Sequence, residues 1–334
     1  MLNPLNRILS RQPGVCWRLL AMVAGYAWVL LLWHLSAFWR VLSDYEYGWA
    51  VPVLVFALLW RRKQALPPPQ PKPSAIAFSG VLLCTLLLLP LRVILDANLD
   101  WRPAVWALAA VVITLTLCAI YLAAGKPWLA ALAFPVLFVL TGVPWLGRLE
   151  LPLTSGLMQF GAFVATELLN LSGIAACQRG SVVETAAGLI GVDEACSGIK
   201  SLQTMVAVGL FLSEFTVWRG PKRFLIVLMG AVLATASNLG RLVLLAWVGS
   251  QSGSGGVERW HDAAGTVAFA AACLALVAIV RQLPPAPAGP RRPPQVQAAT
   301  AFRPSWPLPG LAFCILWLGA TELIRLCWFE PSQI

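Results

Sequence analysis

Charged side chains are scarce in this sequence. Lys, Arg, Asp and Glu together make up 11% of its 334 residues, whereas a soluble domain carries about 25%. So few charges could not cover the surface of one large soluble domain, and 59% of the residues are hydrophobic. Long apolar runs recur along the chain. The composition therefore predicts an all-α fold, a polytopic bundle of transmembrane helices.

Several common catalytic motifs are also missing from the sequence. Histidine occurs twice, and the chain has no His-Glu-x-x-His, no Walker loop, no Gly-x-Ser-x-Gly and no paired metal ligands. We therefore predict no metal and no cofactor, and no motif supports nucleic-acid binding. The eight cysteines show no disulfide spacing. Six of them lie in or beside apolar runs and are expected to be small buried packing residues: Cys16, Cys84, Cys118, Cys273, Cys314 and Cys327.

Basic residues cluster beside apolar runs and give the chain a net charge of +10. This arrangement is typical of cytoplasmic loops under the positive-inside rule, with the N-terminus inside. Nine runs are close to the ~20 residues that a crossing needs. They are Cys16–Phe38, Gly48–Trp60, Ala75–Ile94, Pro103–Ala124, Pro127–Val143, Ser197–Phe215, Phe224–Val248, His261–Val280 and Leu308–Trp328. The first of these runs has no cleavage site and is interpreted as a signal anchor.

Leu151–Leu171 is a tenth apolar run that we do not count as a span. If it crossed the membrane, the basic cluster Arg219–Arg223 would lie outside, against the charge rule. We therefore predict a helix that lies in or dips into the outer leaflet. On this count Cys196, Arg241 and His261 all reach the outer membrane boundary.

Residues 1–282 are predicted to form the main membrane domain, residues 283–307 a Pro-rich cytoplasmic linker, and residues 308–334 an additional C-terminal helix. Two short β-prone runs, Ser181–Thr185 and Leu189–Val192, predict a small β-hairpin on the outer surface before Cys196.

Cys196 lies in the most polar octet of the chain, Asp193–Lys200, directly before an apolar run. A thiolate is a strong nucleophile, and the N-terminus of a helix favours negative charge there. Ser197 occupies the predicted first turn, whereas the neighbouring Glu194 opposes ionisation of the thiol. From these residues alone, a structural cysteine in a bend remains an alternative.

Arg241 and His261 are the other polar residues at membrane boundaries. An arginine at membrane depth costs about 2.5–3.5 kcal/mol on insertion scales, so it needs a polar partner or a function. Asn238 precedes it by three residues and shares its helix face. His261, beside Asp262, is predicted to open a helix, and imidazoles suit proton transfer near neutral pH.

A thiol, a guanidinium and an imidazole at one boundary suit acyl transfer. A second class of function stays open on the residues alone. In it, Arg241 and His261 bind an anionic solute or a lipid headgroup in a transporter or scaffold. The absence of an internal repeat counts against a transporter.

Four segments resemble the exosortase/archaeosortase family of membrane-embedded cysteine transpeptidases. The resemblance covers Trp39 to Val280, and its segments are Glu194–Ser201, Asn238–Arg241, His261 with Asp262 and Gly265, and Asp44 to Arg62. The family commonly has Arg at the position of Lys200 and His at the position of Tyr47.

The resemblance implies a catalytic domain in residues 1–282 of a bacterial cytoplasmic (inner) membrane protein, with the site facing the periplasm or exterior. It implies that Cys196 is the nucleophile, His261 the general acid and base, and Arg241 the stabiliser of the oxyanion or substrate. Supporting residues would be Asn238, Glu194, Ser197 and Asp262. The implied partners are the lipid bilayer and secreted proteins that end in a short motif of the Pro-Glu-Pro type, a transmembrane helix and a basic tail.

Overall fold

Long helices dominate the structure, as the apolar runs predict. The structure is a computed structural model that describes residues 13–186, 188–191, 197–216, 218, 220–283 and 308–329. In chain order its helices are α1 (Pro13–Val41), α2 (Ala50–Lys63), α3 (Ala75–Ala97), α4 (Arg102–Ala124), α5 (Lys126–Phe138), α6 (Gly147–Leu171), α7 (Ile199–Phe215), α8 (Pro221–Gln282) and α9 (Leu308–Phe329), with 3₁₀ turns at Ser43–Trp49 and Val139–Gly142. The predicted all-α polytopic architecture is confirmed.

Among the described residues, six helical segments are long and apolar enough to cross a membrane. They are Trp17–Val41, Ala75–Ala97, Arg102–Ala124, Pro221–Gly253, Gly255–Gln282 and Pro309–Cys327. The remaining predicted spans correspond to α2, α5 and α7, which have 14, 13 and 17 residues. These helices are shorter than the ~20 residues of a full crossing. Helices α5 and α6 are long and apolar enough to cross a membrane only if they are counted together as one bent span.

Internal contacts divide the chain into two compact units. The first unit holds α1, residues Gly48–Pro144 and α9. The second unit holds Leu42–Tyr47 and the described part of Trp145–Gly289.

In the first unit, the Pro-rich segment between α2 and α3 is docked on the ends of α4 and α5. The Gln70 amide donates to the Ala124 carbonyl at 3.3 Å, and Trp128 Nε1 donates to the Pro67 carbonyl at 2.8 Å. Gly125 takes a φ of 80°, and a Cβ there would lie 2.7 Å from the Gln70 oxygen. Only glycine fits this approach without strain.

The C-terminal helix α9 is joined to α1 and α3 by a charge-balanced polar network. Arg92 pairs with Asp96 at 3.1 Å, and Arg325 of α9 reaches the same carboxylate at 3.0 Å. Glu322 of α9 contacts Arg92 and accepts a hydrogen bond from the Tyr26 hydroxyl. Since a lone charge at membrane depth is costly, this pairing explains how the additional helix carries Glu and Arg.

In the second unit, α8 is a helical hairpin with one break. Gly253 has φ 66° and ψ −165°, and it separates arm α8a (Pro221–Gly253) from arm α8b (Gly255–Gln282). The two arms run antiparallel, because a Cβ at Gly230 would lie 3.4 Å from Leu276. The sequence predicted that the second helix begins at His261. Instead, the second arm already begins at Gly255. The chain reverses at Gly253 alone, whose positive φ makes the turn, so no longer loop is needed before His261.

Glycines let α7 and α6 pack closely on α8a. A Cβ at Gly209 would lie 3.1 Å from the Val227 Cα, and one at Gly230 would lie 3.0 Å from the Met205 carbonyl. At Gly161 of α6, a Cβ would lie 2.5 Å from Leu242. Small residues at such crossings are typical of membrane helix packing.

A three-stranded antiparallel sheet of order β1-β2-β3 follows α6, built from β1 (Ala176–Arg179), β2 (Val182–Thr185) and β3 (Gly188–Gly191). Strands β2 and β3 confirm the predicted hairpin. Strand β1 was missed, since Ala, Cys, Gln and Arg give a weak β signal. The sheet is anchored by Val183, which is buried against α6 and α8a.

Candidate active site

The α8 hairpin brings Arg241 and His261 together. Arg241 lies on α8a and His261 on α8b, on opposite sides of the break at Gly253. Arg241 Nη2 is 3.2 Å from His261 Nε2. The antiparallel pairing of the arms sets this distance, so the contact follows directly from the position of the break.

The hydrogen bonds of His261 define its tautomer. Nδ1 lies 2.9 Å from the Asp262 carboxylate, which can only accept, so Nδ1 carries the proton. A guanidinium can only donate, so Nε2 accepts from Arg241. In this tautomer the acceptor nitrogen, Nε2, is turned toward Arg241. Nε2 can take a proton from a nucleophile only after Arg241 releases it.

Gly265 keeps the space beside this pair open. It lies one turn after His261 on α8b, and a Cβ there would lie 3.4 Å from Arg241 Nη1. A longer side chain would press on the guanidinium.

The pair opens into a cleft of about 560 Å³ inside the second unit. Its walls come from the segment before α2, the first turns of α7 and both arms of α8. The lining residues are Ser43, Asp44, Glu46, Tyr47, Lys200, Ser201, Thr204, Arg241, His261, Asp262, Gly265, Thr266 and Phe269. A cleft of this volume is within the range of sites that bind a small ligand or a few residues of a peptide.

Two residues join opposite walls of the cleft. Lys200 Nζ, in the first turn of α7, lies 2.7 Å from Glu46 Oε2 in the 3₁₀ segment. Tyr47 directly follows Glu46 and also lines the cleft. Burial raises the pKa of the Tyr47 hydroxyl, so this side chain is a neutral phenol at physiological pH.

The start of α7 rests on Asn238 of α8a. Gly198 has a φ of 81°, and a Cβ there would lie 2.6 Å from Asn238 Nδ2. Ser197 is buried, and its hydroxyl accepts a hydrogen bond from the Ile199 amide at 3.2 Å. Asn238 is one helical turn from Arg241, so the residues that follow the predicted nucleophile lie beside the helix that carries the guanidinium.

Cys196 and Glu194 lie outside the described residues. Of the other predicted site residues, the structure joins Arg241, His261 and Asp262 in one group, and it places Asn238 and Ser197 next to Gly198. Cys177 is exposed on β1. Cys327, which we expected to be buried, is exposed on α9.

A buried hydrogen-bonded group behind the cleft was not predicted. Tyr45, Glu150 and Gln203 are all buried. The Tyr45 hydroxyl donates to Glu150, and it accepts from the Trp145 amide at 2.7 Å and from Gln203 Nε2 at 3.1 Å. The group ties the 3₁₀ segment to α6 and α7. The cluster of acids and tyrosines in Asp44–Tyr47 was the signal for it, since few other segments of the chain are as polar.

We expect Tyr45→Phe to lower the free energy of unfolding by about 1.5–3 kcal/mol, because it removes a hydrogen bond to a buried carboxylate. Burial and the Glu150 carboxylate raise the pKa of Tyr45, so the hydroxyl stays protonated and can donate at any physiological pH. Thermal unfolding in detergent measures the effect. Tyr121→Phe, which removes the hydroxyl of a half-buried tyrosine in the first unit, is the control. Equal melting temperatures for both variants would contradict the role of the group.

The fold and the cleft define a multi-pass membrane protein with a polar site between helices. The chain belongs to the transmembrane exosortase family (Exosortase_EpsH), whose model matches residues 39–278. Membership makes it a membrane-embedded, sorting-related transpeptidase at the level of the family. No curated protein and no solved structure matches the chain.

Proposed function

We propose that the chain is a cysteine transpeptidase that removes the C-terminal sorting signals of secreted proteins. Such a signal consists of a short motif of the Pro-Glu-Pro type, a transmembrane helix and a basic tail. The observation that carries the proposal is the contact of Arg241 with His261 in a cleft that the first turn of α7 also lines. Cys196 is four residues before Lys200, which faces this cleft.

Acylation begins when the Cys196 thiol loses its proton to His261 Nε2 and the sulfur attacks the scissile carbonyl carbon. Since Arg241 donates to Nε2 in this structure, the guanidinium turns from the imidazole toward the developing oxyanion as the substrate enters. There it stabilises the negative charge. Throughout the reaction, His261 Nδ1 keeps its proton and donates a hydrogen bond to the Asp262 carboxylate.

The tetrahedral intermediate then collapses. The peptide C–N bond breaks, and the leaving amine takes the proton from His261 Nε2. This step leaves an acyl-thioester on Cys196 and frees the membrane helix with its basic tail. An acceptor amine attacks the thioester carbonyl carbon and loses its proton to His261 Nε2. The C–S bond breaks as the new amide bond forms, and the leaving thiolate of Cys196 takes the proton from His261. Water in place of the amine would give hydrolysis.

The proposed site faces the periplasm or exterior of the cytoplasmic membrane. Basic clusters at the ends of the helices support this orientation. The substrate helix docks from the bilayer and places its motif in the cleft. In this view residues 1–282 form the catalytic domain, and residues 308–334 add a helix outside the family match.

A reporter that carries a motif, an apolar helix and an Arg-rich tail tests the proposal. With the wild-type chain and a simple primary amine, mass spectrometry should find the reporter shortened at the motif and linked to the amine through an amide. A reporter with a scrambled motif is the control. A reporter that stays at full length in every case, or one that is cleaved without amine capture at high amine concentration, would contradict transpeptidation.

A further inference from the structure

An apolar groove lies in the first unit, away from the cleft. It measures about 460 Å³ and runs between α1, α4, α5 and the docked Pro-rich segment. Ala21 and Ala24 of α1 line one side, Ala119 and Ala123 of α4 line the other, and Trp128 of α5 lies at its end. Because the facing side chains are small, the helices leave a channel between them.

The groove is apolar along its length. Its one hydroxyl from α4, Thr116, is already engaged, since it accepts from Trp28 Nε1 at 2.9 Å and donates to the Val112 carbonyl at 2.7 Å. Along α4 the lining runs from Thr116 to Ala124, which is about 12 Å at 1.5 Å per residue. One leaflet of a hydrocarbon core about 30 Å thick has a similar depth.

Exposed cations surround one end of the groove. Arg18 follows Trp17 at the start of α1, Lys126 opens α5, and Lys72 lies in the segment docked on the end of α4. The acids among the described residues of the first unit lie toward the C-terminal ends of α3 and α9 and in the loop that follows α3. They are Asp96, Asp100 and Glu322. The end beside Trp17 and Trp128 is therefore positively charged, and tryptophans are typical of helix ends in the headgroup region.

We propose that this groove binds one anionic phospholipid. An acyl chain fills the channel between α1 and α4, and the headgroup phosphate lies near Arg18, Lys72 and Lys126. Charge decides between this ligand and a substrate helix. The basic tail of a sorting signal would meet three cations of the same sign, whereas a lipid phosphate meets complementary charge. The site does not depend on the proposed catalytic residues.

Native mass spectrometry of the full chain, taken from nanodiscs of phosphatidylglycerol and phosphatidylcholine, tests the site. We expect the wild-type chain to retain one phosphatidylglycerol. Ala21→Trp fills the groove from the exposed side of α1 and should lower retention at least fivefold. Ala110→Trp, at an exposed position of α4 outside the groove, should leave retention unchanged.

Charge variants test the headgroup end of the site. Combined Arg18→Gln, Lys72→Gln and Lys126→Gln should lower the preference for phosphatidylglycerol by about fivefold per cation. Arg102→Gln, at the opposite end of α4, should not change it. Equal retention of both lipids by the wild-type chain, or full retention by Ala21→Trp, would overturn the proposal. So would increased lipid retention after deletion of residues 2–12, because that segment would then be the occupant.

Discussion

Replacing Cys196 with alanine is expected to abolish processing and leave the full-length substrate in the membrane. Removing the nucleophile of a covalent mechanism lowers the rate by about 10⁴- to 10⁶-fold, because the remaining groups cannot form the acyl intermediate. The rate of reporter cleavage, followed by its change in mass, measures the loss. Thermal unfolding of the same preparation shows whether the variant is folded.

Cys177→Ala is the matched control for this variant. Cys177 is exposed on β1, and it precedes Cys196 by 19 residues in the same polar stretch of the chain. Its thiol does not line the cleft beside Arg241 and His261. We expect its loss to leave cleavage unchanged. Cleavage that survives Cys196→Ala would end the thiol mechanism, and cleavage lost in Cys177→Ala alone would move the nucleophile to β1.

Local sequence patterns predict the helices, but they do not predict how the helices bring the site residues together. Apolar runs predict most helices, since a backbone in lipid must satisfy its hydrogen bonds internally. The counting of crossings also predicted that Arg241 and His261 reach one boundary. The structure shows how they meet, across a reversal at Gly253 that folds one long helix on itself. A single left-handed residue has too weak a sequence signal to distinguish this arrangement from a loop.

The walls of the cleft could not be predicted from local patterns. Glu46 meets Lys200 across 154 residues of sequence, and Tyr45 meets Gln203 across 158. No periodicity or motif spacing encodes such a pairing, because it depends on tertiary packing. The residues themselves were noticeable as a polar group in an apolar chain. Their arrangement could not be predicted, with Glu46 and Lys200 on opposite walls of the cleft and Tyr45 and Gln203 behind it.

Arg241→Lys is the second variant with a large expected effect, although it keeps the positive charge. The planar guanidinium offers several fixed donors, so Arg241 can bind His261 Nε2 at rest and an oxyanion during the reaction. An ammonium on a flexible stem does not reproduce that geometry. Because loss of one oxyanion donor lowers kcat about 10²- to 10³-fold, we expect a decrease of that size with a smaller change in KM.

Arg259→Lys is the control, since Arg259 is exposed on α8b two residues before His261. It should retain wild-type kinetics. Separate measurement of KM and kcat distinguishes substrate binding by Arg241 from stabilisation of the transition state. A guanidinium that only anchors the substrate in its ground state would raise KM with kcat preserved, whereas one that stabilises the transition state lowers kcat. Full activity in Arg241→Lys would reduce Arg241 to a cation that reaches the headgroups, and the contact with His261 would then be structural.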